Sequence, residues 1–235
     1  MNVIKRLSTT TTRPVLSYGY TKRYFTVTRA CRHMSQNKTC WQCQATNKPT
    51  ALFCENKVCN VIQPIPPELN FFHLFEVGNG DTKQEPTFDI DLKALRRRFL
   101  LLQQKAHPDS YSNSHKREHE YAQLQSSVIN KAYNTLKNPL TRAKYILQQQ
   151  GQKIEEHDSL ENPELLMEVM ELREELEEAS SKEELEAIKQ KNDEKYKETV
   201  QKLKDAFDKK DYMHAKELTI ELQYWSSIQT AIHDK

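Results

Sequence analysis

Residues 105–109, Lys105-Ala106-His107-Pro108-Asp109, lie between two stretches of helical sequence and decide how the chain folds around them. Proline fixes its own φ, has no N–H to donate and disfavours helical geometry in the residue before it. A helix that arrives from Leu92 is therefore predicted to end near Ala106. His107 and Asp109 are then presented on a rigid turn, where Asp109, judged on these residues alone, only bonds the local backbone.

Apolar residues recur every three or four positions on both sides of this turn, which predicts two amphipathic helices. The apolar face of the first comprises Leu92, Leu95, Phe99, Leu102 and Ala106, and that of the second comprises Tyr121, Leu124, Val128, Ala132 and Leu136. A short helix is predicted at residues 71–75, and another follows Asn138-Pro139 and is closed by Gly151.

The composition indicates an α-rich protein of one or two domains. The 235 residues include only four Gly, 29% are charged, and the mean hydropathy is −0.85. No apolar run approaches the roughly 18 residues of a membrane span, so no membrane insertion is expected.

The amino-terminal segment differs in charge from the rest of the chain. Residues 1–54 contain nine Lys and Arg and no acid. Residues 1–35, rich in Arg, Ser and Thr, are predicted to be a mitochondrial transit peptide. A disordered basic tail that binds nucleic acid or anionic lipid is the alternative.

Four cysteines follow in residues 38–63, with Cys40 and Cys43 forming one pair and Cys54 and Cys59 a wider second pair. Two such pairs on two turns are typical of a tetrahedral structural Zn²⁺ site, in which the metal replaces a core that so short a segment cannot build. Disulfides or a redox site remain the alternatives. Cys31 lies in the predicted leader.

The carboxy-terminal part, residues 160–235, is predicted to be an antiparallel three-helix bundle. Residues 152–235 contain 13 bases and 23 acids, a balance that disfavours nucleic-acid binding. The first helix has a core stripe and a second stripe beside it. The core stripe is Leu165, Val169, Leu172, Leu176 and Ala179, and the second is Leu166, Met167, Met170, Glu171, Glu174 and Glu178. Exposed Met beside acids favours an adaptable partner surface, although a broad core face gives the same pattern.

The order of elements around His107-Pro108-Asp109, with the run Ile129-Asn130-Lys131-Ala132-Tyr133-Asn134-Thr135-Leu136, resembles a J-domain over residues 68–151. J-domains activate the ATPase of DnaK-type heat-shock chaperones and hydrolyse nothing themselves. The resemblance implies that His107, Pro108 and Asp109 form the stimulating loop. Chaperone docking is implied for the basic residues Lys93, Arg96, Arg97, Arg98 and Lys105, a run that by itself indicates only a solvated face.

The whole arrangement is similar to the iron-sulfur cluster co-chaperone family of HscB and Jac1, with the best match in residues 140–147 and 165–176. The resemblance implies that the bundle binds an IscU-type iron-sulfur scaffold. The matching positions are Leu166, Met167, Met170, Glu171, Glu174, Glu178 and Tyr224. The cysteine module resembles that of the animal-type members, except for its wider second pair.

The sequence therefore predicts an all-α protein in which a J-domain is followed by an antiparallel three-helix bundle and preceded by a small Cys-rich metal-binding module. The predicted function is that of a co-chaperone, not an enzyme, in the mitochondrial matrix. Its predicted partners are a mitochondrial DnaK-type chaperone and an IscU-type scaffold, with a homodimer left open and neither nucleic acid nor membrane expected. A general J-domain co-chaperone for protein import or folding is the alternative.

Overall fold

A computed structural model describes residues 37–66, 69–80, 85–155, 158 and 162–235. The predicted transit peptide lies outside these residues. The elements are β1 (Lys38–Thr39), β2 (Thr46–Asn47), α1 (Phe71–Phe75), α2 (Leu92–Ala106), α3 (Lys116–Lys137), α4 (Pro139–Gln149), α5 (Pro163–Glu178), α6 (Lys182–Asp208) and α7 (Tyr212–Asp234). Asn37–Lys235 forms one compact unit. The predicted all-α class is therefore confirmed, with a small β-hairpin in the cysteine segment.

The cysteine segment is built from two tight hairpins. Strands β1 and β2 pair antiparallel, with Thr39 opposite Thr46, and a single bridge joins Phe53 to Ile62. Gln44 and Asn60 adopt positive φ, which tightens the turns near the cysteines. The buried cluster of this short segment is small: Cys40, Cys54 and Val61 are buried, with Trp41 and Ala45 packed against them.

Helices α1 to α4 enclose the main hydrophobic core. The largest fully buried side chains in this part are Phe72, Phe75, Leu95, Ile129, Leu136 and Leu147. Helix α2 is capped at its start by Asp91, whose carboxylate accepts hydrogen bonds from the N–H groups of Lys93 and Ala94. Helix α4 starts at Asn138, which caps it in the same way, and Pro139 occupies its tolerated first position.

The first half of α3 buries a different face from the one predicted, whereas Ala132 and Leu136 are buried as predicted. Ala122, Gln125, Ile129, Ala132 and Leu136 are buried, whereas Leu124 is 58% exposed. The reason is that α3 has the cysteine segment as a second neighbour, and that segment takes up Gln125. At the start of α2, Leu92 is also wrong as a core residue, being 50% exposed, because it occupies the first turn.

Helices α5, α6 and α7 form the predicted bundle. Between α5 and α6, Glu175 contacts Lys191 and the earlier Glu168 contacts the later Lys195, so these helices are antiparallel. Between α6 and α7, Asp193 contacts Gln229 and the later Thr199 contacts the earlier Glu221, so this pair is antiparallel too and α5 and α7 are parallel. The predicted stripe of α5 is buried at Val169, Leu172 and Leu176, where it packs with Trp225 and Ile228 of α7.

The far ends of α6 and α7 belong to the main core rather than to the bundle core. Leu203, Phe207, Leu218 and Leu222 are buried in the same cluster as Leu95 of α2. The rings of Phe88 and Phe207 stack with centroids 5.2 Å apart. The two long helices therefore link the part built from α1 to α4 with α5. Among the described residues, no helix has the length and apolar character that a membrane crossing needs.

Candidate functional site

The His-Pro-Asp loop joins α2 to α3 at the surface. Residue His107 is extended (φ −66°, ψ 128°), as the following proline requires, and Pro108–Tyr111 then form one 3-10 turn. The Nδ1 atom of His107 accepts a hydrogen bond from the Asp109 N–H at 3.3 Å, and the Asp109 carboxylate lies 3.7 Å from the same atom. Both side chains are exposed.

Tyr111 fixes this loop to the end of α2. Its hydroxyl donates to the Lys105 carbonyl at 3.0 Å, a group that the end of the helix leaves without an intrahelical partner. Burial, and to a lesser degree Glu118, raises the pKa of Tyr111, so its hydroxyl keeps the proton that it donates. The loop is thus exposed but held in one geometry.

The basic side of α2 faces solvent next to the loop. All five predicted docking residues, Lys93, Arg96, Arg97, Arg98 and Lys105, are exposed. Arg98 forms an ion pair with Glu76. The apolar Leu100 and Leu101 are also exposed on this helix. The sequence analysis did not identify these two leucines as surface residues. The one signal in the sequence is that they lie outside the predicted apolar face of this helix.

The second stripe of α5 also lies at the surface. Met167, Met170, Glu171, Glu174 and Glu178 are exposed and Leu166 is half-buried. The core of the bundle is filled by the first stripe, so this surface is not a broad core face. A contiguous set of large apolar and acidic side chains remains available for a partner.

Tyr224 of α7 lies beside this surface. The Arg173 guanidinium donates to the Ser227 hydroxyl at 2.8 Å, which puts these two residues at the same level of the parallel helices α5 and α7. One turn back on each helix are Met170 and Tyr224, which therefore share a level. The tyrosine is half-buried against the bundle core.

The four cysteines Cys40, Cys43, Cys54 and Cys59 come together in space. All four Sγ atoms lie within 4.8 Å of one another, with Cys43 3.6 Å from Cys54 and Cys40 3.9 Å from Cys59. Thiolates about 2.3 Å from a tetrahedral ion stand about 3.8 Å apart, so this cluster fits a four-coordinate metal. A disulfide needs a sulfur separation of about 2.05 Å, and all four thiols are free.

The thiol pKa values indicate why a cation belongs in this cluster. Burial raises the pKa of Cys40, but N–H donors from Cys43 and Gln42 outweigh it and bring the pKa to about 6. The Val61 N–H would lower the pKa of Cys59, but burial and the neighbouring thiols raise it to about 12. Cys40 therefore forms a thiolate readily, whereas the raised pKa values of Cys54 and Cys59 mean that these two thiols resist ionisation until a positive ion offsets their charge.

Comparisons with known proteins agree with this architecture. A family model described as the HSCB C-terminal oligomerisation domain matches residues 161–233. The iron-sulfur cluster co-chaperone protein HscB of Mus musculus is 31% identical over 218 residues, covering 91% of this chain and 89% of the mouse protein. The mitochondrial J-type co-chaperone jac1 of Schizosaccharomyces pombe is 35% identical, covering 70% of this chain and 73% of the yeast protein.

Among solved structures, the crystal structure of human co-chaperone protein HscB matches with a TM-score of 0.74 at 30% identity, covering 83% of this chain and 97% of the human one. The helical fold, its exposed loop and these relatives place the chain in the class of co-chaperones. Within that class, it belongs to the HscB/Jac1 family of iron-sulfur cluster co-chaperones. The predicted family is therefore confirmed.

Proposed function

We propose that this protein acts in iron-sulfur cluster biogenesis in the mitochondrial matrix, as a co-chaperone that delivers a cluster scaffold to a chaperone. An IscU-type scaffold is held on the α5 surface, and the His-Pro-Asp loop stimulates ATP hydrolysis by a mitochondrial DnaK-type chaperone. The observation that carries the proposal is that one compact unit presents both an exposed apolar and acidic surface on α5 and an exposed, fixed loop after a basic helix. Cluster transfer from the scaffold is promoted as a result.

The scaffold surface is defined as Leu166, Met167, Met170, Glu171, Glu174, Glu178 and Tyr224. Large apolar side chains supply most of the energy in such interfaces, and charges set orientation and association rate. Met suits this role because its flexible thioether adapts to the partner. Acids at its border select a partner with a basic surface.

The chaperone surface is defined as His107, Pro108, Asp109, Lys93, Arg96, Arg97, Arg98 and Lys105. Its role in this proposal is to bind one conformation of the chaperone more tightly than another, because only such a difference in affinity shifts the partner's equilibrium. The basic residues attract an acidic patch on the chaperone, and the fixed loop then makes the contact that triggers hydrolysis there. The chemistry takes place in the partner.

We propose that the ion at Cys40, Cys43, Cys54 and Cys59 is Zn²⁺. Four thiolates at tetrahedral spacing are a donor set that zinc prefers, and the closed site leaves no open position for a reaction. The metal would hold together a segment whose own apolar core is small.

The scaffold proposal is tested with the double variant Leu166→Ala with Met170→Ala. Removing two anchors from the centre of the surface should weaken binding of a purified IscU-type scaffold by about tenfold or more. Calorimetry or a pull-down measures the change, with chaperone ATPase stimulation followed in parallel.

The control for this test is Met213→Ala. Met213 of α7 is 62% exposed, close to the 69% of Met170, but lies 11 residues before Tyr224, about 16 Å along the helix from that member of the scaffold surface. Met213→Ala should bind the scaffold like the wild type. Scaffold binding by the double variant as tight as that of the wild type would refute the scaffold role and favour a general J-protein that presents other clients.

A further inference from the structure

Gln125 is a buried polar residue in the middle of α3, with 1% of its surface exposed. Its side-chain amide uses both N–H bonds, donating to the Leu52 carbonyl at 2.8 Å and to the Gln63 carbonyl at 2.7 Å. Leu52 and Gln63 face each other in the second hairpin of the cysteine segment, where the Gln63 N–H donates to Leu52. A helical side chain thus closes the hydrogen-bond ladder of this hairpin.

Gln63 connects the same hairpin to the cysteine cluster. Its side-chain amide is fully buried and donates to the Cys40 sulfur at 3.2 Å and to the Val61 carbonyl at 3.2 Å. A donor to a ligand sulfur fixes the orientation of that ligand and stabilises its charge. A continuous buried path therefore runs from Cys40 through Gln63 to Gln125 of α3.

Trp41 makes a second contact between the cluster and α3. It lies between Cys40 and Cys43 in sequence, and its indole N–H donates to the Ile62 carbonyl at 2.7 Å. Its ring lies 5.1 Å from the Arg117 guanidinium, in cation–π contact, and packs edge-on against Tyr121. The first three turns of α3 thus support the cysteine segment, and the His-Pro-Asp loop directly precedes them.

We propose that the metal at the four cysteines fixes the start of α3, and through it the His-Pro-Asp loop, with Gln63 and Gln125 as the positioning residues that couple the two. This inference rests on the proposed zinc site and on the proposed chaperone contact. Without the ion, the cluster no longer holds Cys40 in place, so Gln63 and its hairpin lose their alignment. Gln125 is then left with unmatched buried donors, which favours opening of α3 at this point.

Coupling of this kind is reciprocal. If the metal stabilises the start of α3 by a given factor, α3 must stabilise metal binding by the same factor. A substitution at Gln125, which does not touch the metal, should therefore weaken metal binding. A residue with only a local packing role would not produce this effect.

The experiment compares the wild-type full chain with Gln125→Met, which keeps side-chain length but removes both donors. Gln123→Met is the matched control, because Gln123 is exposed on the same helix. Each protein is loaded with Zn²⁺ or stripped with a chelator, and amide hydrogen exchange is measured at residues 107–125. Zinc affinity is measured by competition with a chelating dye.

In the wild type and in Gln123→Met, zinc removal should raise amide exchange at residues 107–125 by about tenfold. In Gln125→Met, exchange should already be high and change little on stripping, and zinc affinity should fall by a similar factor. Stimulation of the chaperone ATPase should depend on zinc in the wild type and not in Gln125→Met.

Unchanged exchange on stripping the wild type would overturn the proposal whether or not the variants fold. So would wild-type zinc affinity in Gln125→Met, or stimulation by the wild type that is indifferent to zinc. Gln63→Met, which removes the donor to Cys40, gives a second check and should lower zinc affinity by about tenfold. Exchange and affinity need no chaperone, so failure of the proposed chaperone contact would appear only in the ATPase assay.

Discussion

At the scale of single residues, Asp91 connects the charge of one side chain to the stability of the basic helix. Its carboxylate accepts the N–H groups of Ala94 and Lys93, and these bonds hold the pKa of Asp91 below its ordinary value. A lowered folded-state pKa means that the stabilisation is present above the unfolded-state pKa of about 3.9. It is lost as pH falls through the lower folded-state pKa.

The variant Asp91→Ser isolates this effect, since serine caps a helix but does not titrate. The wild type should be more stable than Asp91→Ser at neutral pH, and the difference should shrink as the solution is acidified below about pH 4. Urea unfolding of both proteins between pH 7 and the lowest pH at which both fold measures this. A difference that stays constant or grows on acidification would contradict the assignment.

Single residues also show which features the sequence predicts and which it does not. The end of α2 at Ala106 is a local effect of Pro108, so the sequence predicts it, and the Asp91 carboxylate that caps the start of α2 is a signal of the same local kind. The burial of Gln125 depends on carbonyls more than sixty residues away along the chain. A periodic pattern counts apolar residues and therefore passes over a polar residue that is buried by its hydrogen bonds.

At the scale of secondary-structure elements, α6 depends on a capping box at its start. The Ser181 hydroxyl accepts the Glu184 N–H at 3.2 Å, and the Glu184 carboxylate accepts the Ser181 N–H at 3.1 Å. Two otherwise unpaired donors are satisfied in this way. The box also fixes where α5 ends and α6 turns back.

Ser181→Ala removes one half of this box and should lower the free energy of unfolding by about 1 kcal/mol. Ser180→Ala is the matched control: its hydroxyl donates only to the carbonyl of Glu178, and its N–H to Glu184 is kept. That variant should stay within about 0.5 kcal/mol of the wild type. Urea denaturation of the three proteins gives the comparison, and an equal loss in both variants would argue against the capping box.

The two stripes of α5 were separable in the sequence because helical spacing distinguishes neighbouring faces. The structure buries Val169, Leu172 and Leu176 of the first stripe and exposes the second stripe except for the half-buried Leu166. For α2 the pattern gave Leu95 and Ala106 correctly, but it could not show that Leu100 and Leu101 are exposed beside the basic residues. Hydrophobicity predicts burial only on average, and a partner surface departs from that average.

At the scale of the whole molecule, α6 and α7 serve two cores. Leu203 and Phe207 pack with the helices around the His-Pro-Asp loop, whereas Ile188 and Trp225 pack with α5. The sequence predicts that these faces are apolar but not which element each face meets, because periodicity carries no information about the partner. The proposed chaperone surface and the proposed scaffold surface thus lie in one compact unit, joined by continuous helices.

The central claim, that the His-Pro-Asp loop triggers ATP hydrolysis in a chaperone while α5 holds the scaffold, is tested most directly with His107→Gln. Glutamine keeps a polar acceptor at position 107, which is not part of the scaffold surface. The control is His233→Gln, at the exposed end of α7. In a steady-state ATPase assay with a mitochondrial DnaK-type chaperone and an IscU-type scaffold, His107→Gln should reduce stimulation to the level of chaperone and scaffold alone, with unchanged scaffold affinity. Stimulation by His107→Gln equal to that of the wild type and of His233→Gln would contradict the account.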